Sequence, residues 1–253
     1  MRIAVIGGTG TVGRPTVRAL REAGHDVVVG ARSAGVDVLT GEGLGDALAG
    51  VGAVIDVTNA RAATPEEARE VFGVATERLL EAGRRAGVVH HVLLSIAGID
   101  RVEGNAHYAG KRRQEELVEA APEGTIVRAT QFHEFAEMVV DRTLRDGEAP
   151  VAPLLLQPVA AADVGEVLAE VAAGPPQGRA PDLAGPGTED LVDMARRVLA
   201  ARGRSVRLVP TWRSGVFGPE MAGEVLLPEP GARLAPTTFD AWLAGIGPEP
   251  ASA

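Results

Sequence analysis

The stretch Ile3-Ala4-Val5-Ile6-Gly7-Gly8-Thr9-Gly10-Thr11-Val12-Gly13 decides the fold of this chain. Its first four residues form a continuous apolar run, the pattern of a strand buried on both faces. From Val12 to Ala23 the apolar residues recur at helical spacing, and Gly24 ends the run. Between strand and helix the glycines read G-x-G-x-x-G from Gly8 and G-x-x-G-x-x-G from Gly7. Such a turn needs one glycine to bend tightly, one to let backbone approach a pyrophosphate, and one to let helix and strand pack closely. The first N–H groups of the helix then point at phosphate oxygens. Strand before and helix after is the context that gives the motif its meaning. Gly7, Thr9, Gly10, Thr11, Val12 and Gly13 are therefore expected to hold a dinucleotide on a Rossmann-type α/β core.

Moving outward, Asp26–Gly30, Val36–Leu39, Ala53–Val57, Val89–Ser95 and Thr125–Arg128 read as further strands. Helices are expected at 44–48, from Thr64 to about Ala86, at 108–121 and at 132–145. Thr64-Pro65-Glu66-Glu67 is a strong helix start, with a cap, a first-turn proline and early acids. Alternating strands and helices predict a doubly wound parallel sheet with helices on both faces. Prolines crowd the chain after residue 146, where helices are still expected at 163–173 and 188–201. The expected organisation is a dinucleotide-binding core over 1–150, a smaller substrate-side lobe over 151–246, and a disordered tail over 247–253.

The end of the second strand selects the dinucleotide. NAD sites place an acid there to hold the ribose hydroxyls. This chain has Gly30-Ala31-Arg32-Ser33, with no carboxylate directly after the strand. A guanidinium forks onto two phosphate oxygens, so Arg32 and Ser33 favour the 2′-phosphate of NADP(H) over NAD(H). Asp37 and Val38 are placed to flank the adenine, or else to pack as ordinary sheet residues.

Composition narrows the partners. The net charge of −9 and the lack of a long basic run argue against nucleic acid. With no cysteine, disulfides and thiolate metal sites are excluded. No apolar run reaches the roughly 18 residues of a membrane span, and the N-terminus is too short for a signal peptide. A cytoplasmic chain that meets no membrane is expected, acting on a small-molecule substrate; monomer and dimer both stay open. Aromatics make up only 3% of residues, so Trp212, Phe217 and Met221 stand out as residues of an apolar lid or of the lobe's own core. His90 and His91 are adjacent, point to opposite faces of a strand, and read as structural; no metal site is expected.

Four further segments occur in order with the glycine turn: Ile55-Asp56-Val57-Thr58-Asn59, Leu94-Ser95-Ile96-Ala97-Gly98, Tyr108-Ala109-Gly110-Lys111, and Ile126-Val127-Arg128-Ala129-Thr130-Gln131-Phe132. With this ordered set the chain resembles the atypical short-chain dehydrogenase/reductases, in their NmrA-like branch. The resemblance runs from Met1 to about Val171. It implies that Val57, Thr58 and Asn59 lie along the nicotinamide half of the cofactor. It implies that Ser95 supplies a catalytic hydroxyl, that Lys111 bonds the nicotinamide ribose, and that Thr130, Gln131 and Phe132 border the substrate.

One departure matters. The family's usual pattern is Tyr-x-x-x-Lys, but four residues before Lys111 stands His107, and Tyr108 lies three before it. Both spacings put a residue on the lysine's helix face, so either His107 or Tyr108 is a candidate proton donor. A nearby ammonium lowers a tyrosine's pKa, and histidine titrates near neutrality. Phe132 and Phe135 are spaced to form one aromatic wall, or else to pack in the core. His133 and Glu134 sit at a helix entrance beside that wall. The expected function is an NADPH-dependent reductase of a small carbonyl, quinone or enone. The alternatives are a non-catalytic NADP(H) redox sensor and a redox-neutral isomerase or dehydratase.

Overall fold

The computed structural model describes residues 1–213 and 217–247. Its sheet begins with β1 (Arg2–Ile6), β2 (Asp26–Gly30), β3 (Ala53–Asp56), β4 (His90–Ile96) and β5 (Gly124–Ala129). The first helices are α1 (Gly13–Glu22), α2 (Leu44–Leu48), α3 (Pro65–Ala86) and α4 (Ala106–Glu119). The strands run parallel in the order β5-β4-β3-β1-β2, so β1 is flanked by β2 on one side and β3 on the other. The strand order reverses at that point, and the crevice beyond the carboxyl ends of β1 and β3 is where open α/β sheets take ligands. The expected Rossmann-type α/β architecture is the one observed.

The strands β1, β3, β4 and β5 bury both faces, and the edge strand β2 is half-buried. Val5, Ile55, Val92 and Val127 pack with Val17 and Leu20 of α1 on one side. Ala4, Ile6 and Val54 pack with Leu44, Leu48 and Leu79 of α2 and α3 on the other. At α3, Thr64 Oγ1 accepts from the Glu67 amide at 3.2 Å and Glu67 Oε2 accepts from the Ala63 amide at 2.7 Å. This reciprocal cap starts the helix where the sequence places it, and Gly87 closes it at φ +80.

The later chain comprises α5 (Phe135–Thr143), β6 (Glu148–Val151), β7 (Leu155–Leu156), α6 (Ala161–Ala173), β8 (Gly178–Arg179) and β9 (Leu183–Ala184). It continues through β10 (Glu189–Asp190), α7 (Leu191–Arg202), β11 (Arg207–Pro210), β12 (Arg233–Leu234) and α8 (Phe239–Ala244). Part of it completes the core: β8 and β9 pair with β5, β12 pairs with β9, and Val164 and Leu168 of α6 join the cluster under α1. The rest builds a second core around Val140, Val151, Leu154, Leu191, Met194 and Val198. Trp212 and Phe217 pack, partly buried, against this second core, and Met221 is buried within it.

Two expectations are corrected. Val36–Leu39 is a turn, not a strand. Gly35 and Gly41 adopt φ of +75 and +86, and Asp37 Oδ1 accepts from the amides of Leu39 at 2.7 Å and Thr40 at 3.4 Å. A carboxylate bonded to its own following backbone outcompetes two β-branched residues. The helix expected from residue 132 starts at Phe135, because Phe132 bridges to Val159 and His133 N–H donates to the Val159 carbonyl at 3.0 Å. Residues 248–253 of the expected tail lie outside the described residues; Gly247 O accepts from Arg202 Nη1 at 3.1 Å.

Candidate nucleotide and active site

The glycine turn is shaped by close approach. Gly7 has φ +89, and a Cβ there would sit 2.9 Å from the Val57 carbonyl oxygen. At Gly13 a Cβ would lie 2.1 Å from Gly7 O and 2.6 Å from Gly8 Cα. Gly10 is exposed, and a Cβ there would meet only Gly7 O, at 3.2 Å. Gly7 and Gly8 amides both donate to Gly30 O, at 2.8 and 3.2 Å, which locks the turn to the end of β2. Arg14 Nε spends itself on Thr9 O at 2.8 Å, bracing the loop. No side chain caps α1, whose preceding residue Val12 is already helical. Among the described residues no backbone carbonyl takes the amides of Thr11, Val12 or Gly13. A close-set cradle with donors free at a helix start fits the pyrophosphate of a dinucleotide.

Beside this cradle, Ala31 is extended, and Arg32 and Ser33 open an exposed 3-10 turn. Among the described residues no carboxylate pairs with the Arg32 guanidinium. Val38 is half-buried against the α2 and α3 core, and the Asp37 carboxylate is committed to its turn. Asp56 is buried, and its Oδ1 accepts from the Thr58 amide at 2.9 Å, while Val57 N–H donates to Ile6 O at 2.9 Å. Val57, Thr58 and Asn59 therefore leave β3 directly against Gly7, with Asn59 exposed.

Lys111 is buried on α4. Its Nζ donates to Leu94 O and to Gln114 Oε1, both at 2.8 Å, and lies 5.8 Å from the Phe72 ring centroid. Burial lowers the ammonium pKa, and the Asp56 and Glu115 carboxylates oppose that shift. The two proton-donor candidates separate here. His107 packs edge-on to the same Phe72 ring at 5.7 Å, and burial, then Lys111 and Arg142, lower its pKa to about 4. Tyr108 turns into the second core, within 3.5 Å of the Gln131 Nε2 donor. Burial pushes its pKa up to about 12, against the Gln131 hydrogen bond, with no contribution from Lys111. The expected lowering of a tyrosine by the lysine is thus not what this helix phase produces; Lys111 acts on His107.

Tyr108 is the chain's single tyrosine, so its phenol can be titrated directly by near-ultraviolet absorbance. The phenolate should form with a midpoint near pH 12 rather than at the ordinary value of 10. With the folded pKa raised, stability is full below pH 10 and declines as pH rises towards 12. Circular dichroism followed over that window checks the coupling. A midpoint below 10 would restore the lysine–tyrosine pairing.

Ser95, near the end of β4, is buried, and among the described residues neither its Oγ nor the buried Gln131 Oε1 has a hydrogen-bond partner. Ser95 Oγ can donate or accept a further hydrogen bond, whereas Gln131 Oε1 can only accept one. Thr130 Oγ1 is occupied by Gln157 O at 2.6 Å. Phe132 and Phe135 do not form one wall: Phe132 packs on the α1 and α6 core, and Phe135 meets Phe217 in the second core with ring centroids 5.4 Å apart. His133 Nε2 bonds Thr237 O at 3.1 Å, and Glu134 Oε1 accepts from Trp242 Nε1 at 3.2 Å. Both His90 nitrogens are engaged, with Gly174 O and Thr125 Oγ1.

Sequence reading passed over three residues in this group. Gln114 follows Lys111 by three positions, and Phe72 precedes Thr76 by four, so each pair shares a helix face. That spacing was the available signal.

Residues 3–122 match the NAD dependent epimerase/dehydratase family. A solved short-chain dehydrogenase/reductase superfamily protein from Agrobacterium tumefaciens, with bound NAD, is similar to this chain over 97% of its length and 96% of the neighbour's, with TM-score 0.68 and 19% identity. A dTDP-4-dehydrorhamnose reductase from Clostridium acetobutylicum is similar over 98% and 93%, with TM-score 0.64 and 17% identity. These likenesses show a shared Rossmann-type α/β fold. Photosystem II assembly factor Ycf39 of Synechocystis sp. is 36% identical over 110 residues, or 38% of this chain. The match spans 34% of that relative's length. The match of residues 3–122 to an NAD dependent family model supports a nucleotide cofactor. Among the described residues no helix is long and apolar enough to cross a membrane.

Proposed function

We propose that the chain is an NADPH-dependent reductase of a small organic carbonyl, quinone or enone. The observation that carries the cofactor half is the close-set glycine cradle beside the uncommitted guanidinium of Arg32. When bound, NADPH would supply the hydride. The amides of Thr11, Val12 and Gly13 hold pyrophosphate, Arg32 and Ser33 hold the 2′-phosphate, and Val57, Thr58 and Asn59 border the nicotinamide half. Lys111 anchors the nicotinamide ribose. Of the two donor candidates, Tyr108 suits the task. His107 carries no transferable proton at neutral pH with a pKa of about 4, whereas the Tyr108 phenol stays protonated. Ser95 Oγ holds the acceptor oxygen, and Gln131 orients the Tyr108 hydroxyl.

One observation favours a second reading, an NADP(H) sensor without turnover: the Tyr108 phenol receives no activation from Lys111. Titration with NADPH and NADP⁺, followed by NADPH oxidation against quinones, aldehydes and enones, separates the two. Turnover that Tyr108→Phe abolishes supports the reductase. Binding with no turnover on any acceptor supports the sensor. Substrate conversion without net NADPH oxidation would point to the epimerase or dehydratase chemistry that gives the family its description.

Arg32→Ala should lower the preference for NADPH over NADH by roughly 10-fold, the value of one solvent-facing charge-assisted contact. Competitive binding of the two nucleotides measures it. An unchanged preference would remove the NADP(H) assignment.

A further inference from the structure

Gln114 is fully buried between α3, α4 and the end of β3, and its amide has only one workable orientation. Lysine can only donate, so Gln114 Oε1 must face Lys111 Nζ, 2.8 Å away. The Nε2 end then donates to Thr76 Oγ1 at 2.9 Å and to Asp56 Oδ2 at 3.3 Å. The other oxygen of Asp56 accepts from the Thr58 amide at 2.9 Å. One amide thus links the lysine on α4 to the backbone leaving β3. Gln114, Thr76, Asp56 and Lys111 are all buried, and each bond is made to a complementary partner.

We propose that Gln114 is a positioning residue that sets the two supports of the nicotinamide ribose, Lys111 and the Val57–Asn59 segment, in one fixed relation. The proposal rests on the cofactor reading above. A buried network of complementary hydrogen bonds holds one geometry. Lys111 keeps one N–H free only while Leu94 O and Gln114 Oε1 take the other two. Without the amide, the ammonium is drawn towards the Asp56 carboxylate, whose attraction already raises its pKa. That shift would take Lys111 off the ribose and strain the Asp56–Thr58 turn together. Glycine-turn contacts to the pyrophosphate and Arg32 contacts to the 2′-phosphate lie outside the network and should be spared.

The test compares two ligands on wild-type protein and Gln114→Leu by calorimetry: NADPH, and adenosine 2′,5′-bisphosphate, which lacks the nicotinamide and its ribose. Gln114→Leu should weaken NADPH by about tenfold and the bisphosphate by less than about twofold. Thr76→Val, which removes only a neutral partner of Nε2, should show the same split at about threefold; it decides the matter if Gln114→Leu does not fold. In a Lys111→Met background the Gln114 substitution should have little further effect on NADPH. Equal losses for both ligands, or no loss for NADPH, would overturn the positioning role while leaving the cofactor reading intact. Wild-type protein that binds neither ligand would overturn the cofactor reading, and the role of Gln114 with it.

Discussion

Gly13→Val should weaken NADP(H) binding by about 100-fold or more. A Cβ at this position would lie 2.1 Å from the Gly7 oxygen and 2.6 Å from Gly8 Cα, both backbone atoms with no side chain to swing aside. The start of α1 must then move away from the turn. Moving it withdraws the amides of Thr11, Val12 and Gly13, and losing two charge-assisted hydrogen bonds at about 1.5 kcal/mol each gives the stated factor. Part of the strain will also appear as a lower melting temperature. Gly10→Ala separates the two effects, because its Cβ meets only Gly7 O at 3.2 Å and the position is exposed. It should fold nearly as well as wild type and still bind the nucleotide about tenfold more weakly, since the added methyl stands where phosphate approaches. Fluorescence titration and thermal melts of both variants are sufficient. Normal NADP(H) affinity in Gly13→Val would remove the cradle from the mechanism.

The second large effect falls on stability. Arg128→Leu should cost about 3 kcal/mol, at the lower end of the range for unpairing a buried charge. Arg128 Nε and Nη2 form a two-pronged pair with Glu115, at 2.8 and 2.6 Å, with both residues buried. A third bond runs to the mostly exposed Asp100 at 2.7 Å. Burial pulls the guanidinium pKa down, but Glu115 and Asp100 outweigh it and hold it above the usual arginine range. Arg179 stands 3.7 Å from Glu115 and compensates part of the loss, which is why the lower figure is chosen. The double variant Arg128→Leu with Glu115→Leu should recover most of the stability, because it leaves no orphaned carboxylate. Urea unfolding of wild type and the two variants tests this. A double variant as unstable as Arg128→Leu would show that the pair stabilises the fold in its own right.

The cradle was legible because its glycines are required by backbone collisions, which composition and spacing carry directly. Gly7 and Gly13 could be picked out without knowing any neighbour. The α3 start was legible for the same kind of reason, since Thr64, Pro65 and Glu67 act on the backbone within four residues. The third strand failed because Val36 and Val38 signal a strand only if the intervening Asp37 does not turn its carboxylate onto its own chain, and it does. The choice between His107 and Tyr108 was not legible. Both spacings from Lys111 are helical neighbours, and the answer depends on where Phe72 of α3 and Gln131 after β5 come to rest. Phe132 and Phe135 could be read as one wall or as core packing, and the choice turned on a helix that starts only at Phe135. The bridging role of Gln114 involves residues 56, 76 and 111, which only the folded topology brings together.

The covering of the sheet by α6 has a consequence for biosynthesis. Val164 and Leu168 lie over the same face as Val5, Ile55 and Val92, and Gly165 approaches the α1 backbone so closely that a Cβ there would come within 2.7 Å of the Thr16 nitrogen. A nascent chain that has emerged only as far as residue 150 therefore shows an uncovered greasy plane to solvent or to a chaperone. Its glycine turn can be made early on the ribosome, but the shelter for the strands behind it arrives only with the residues that follow.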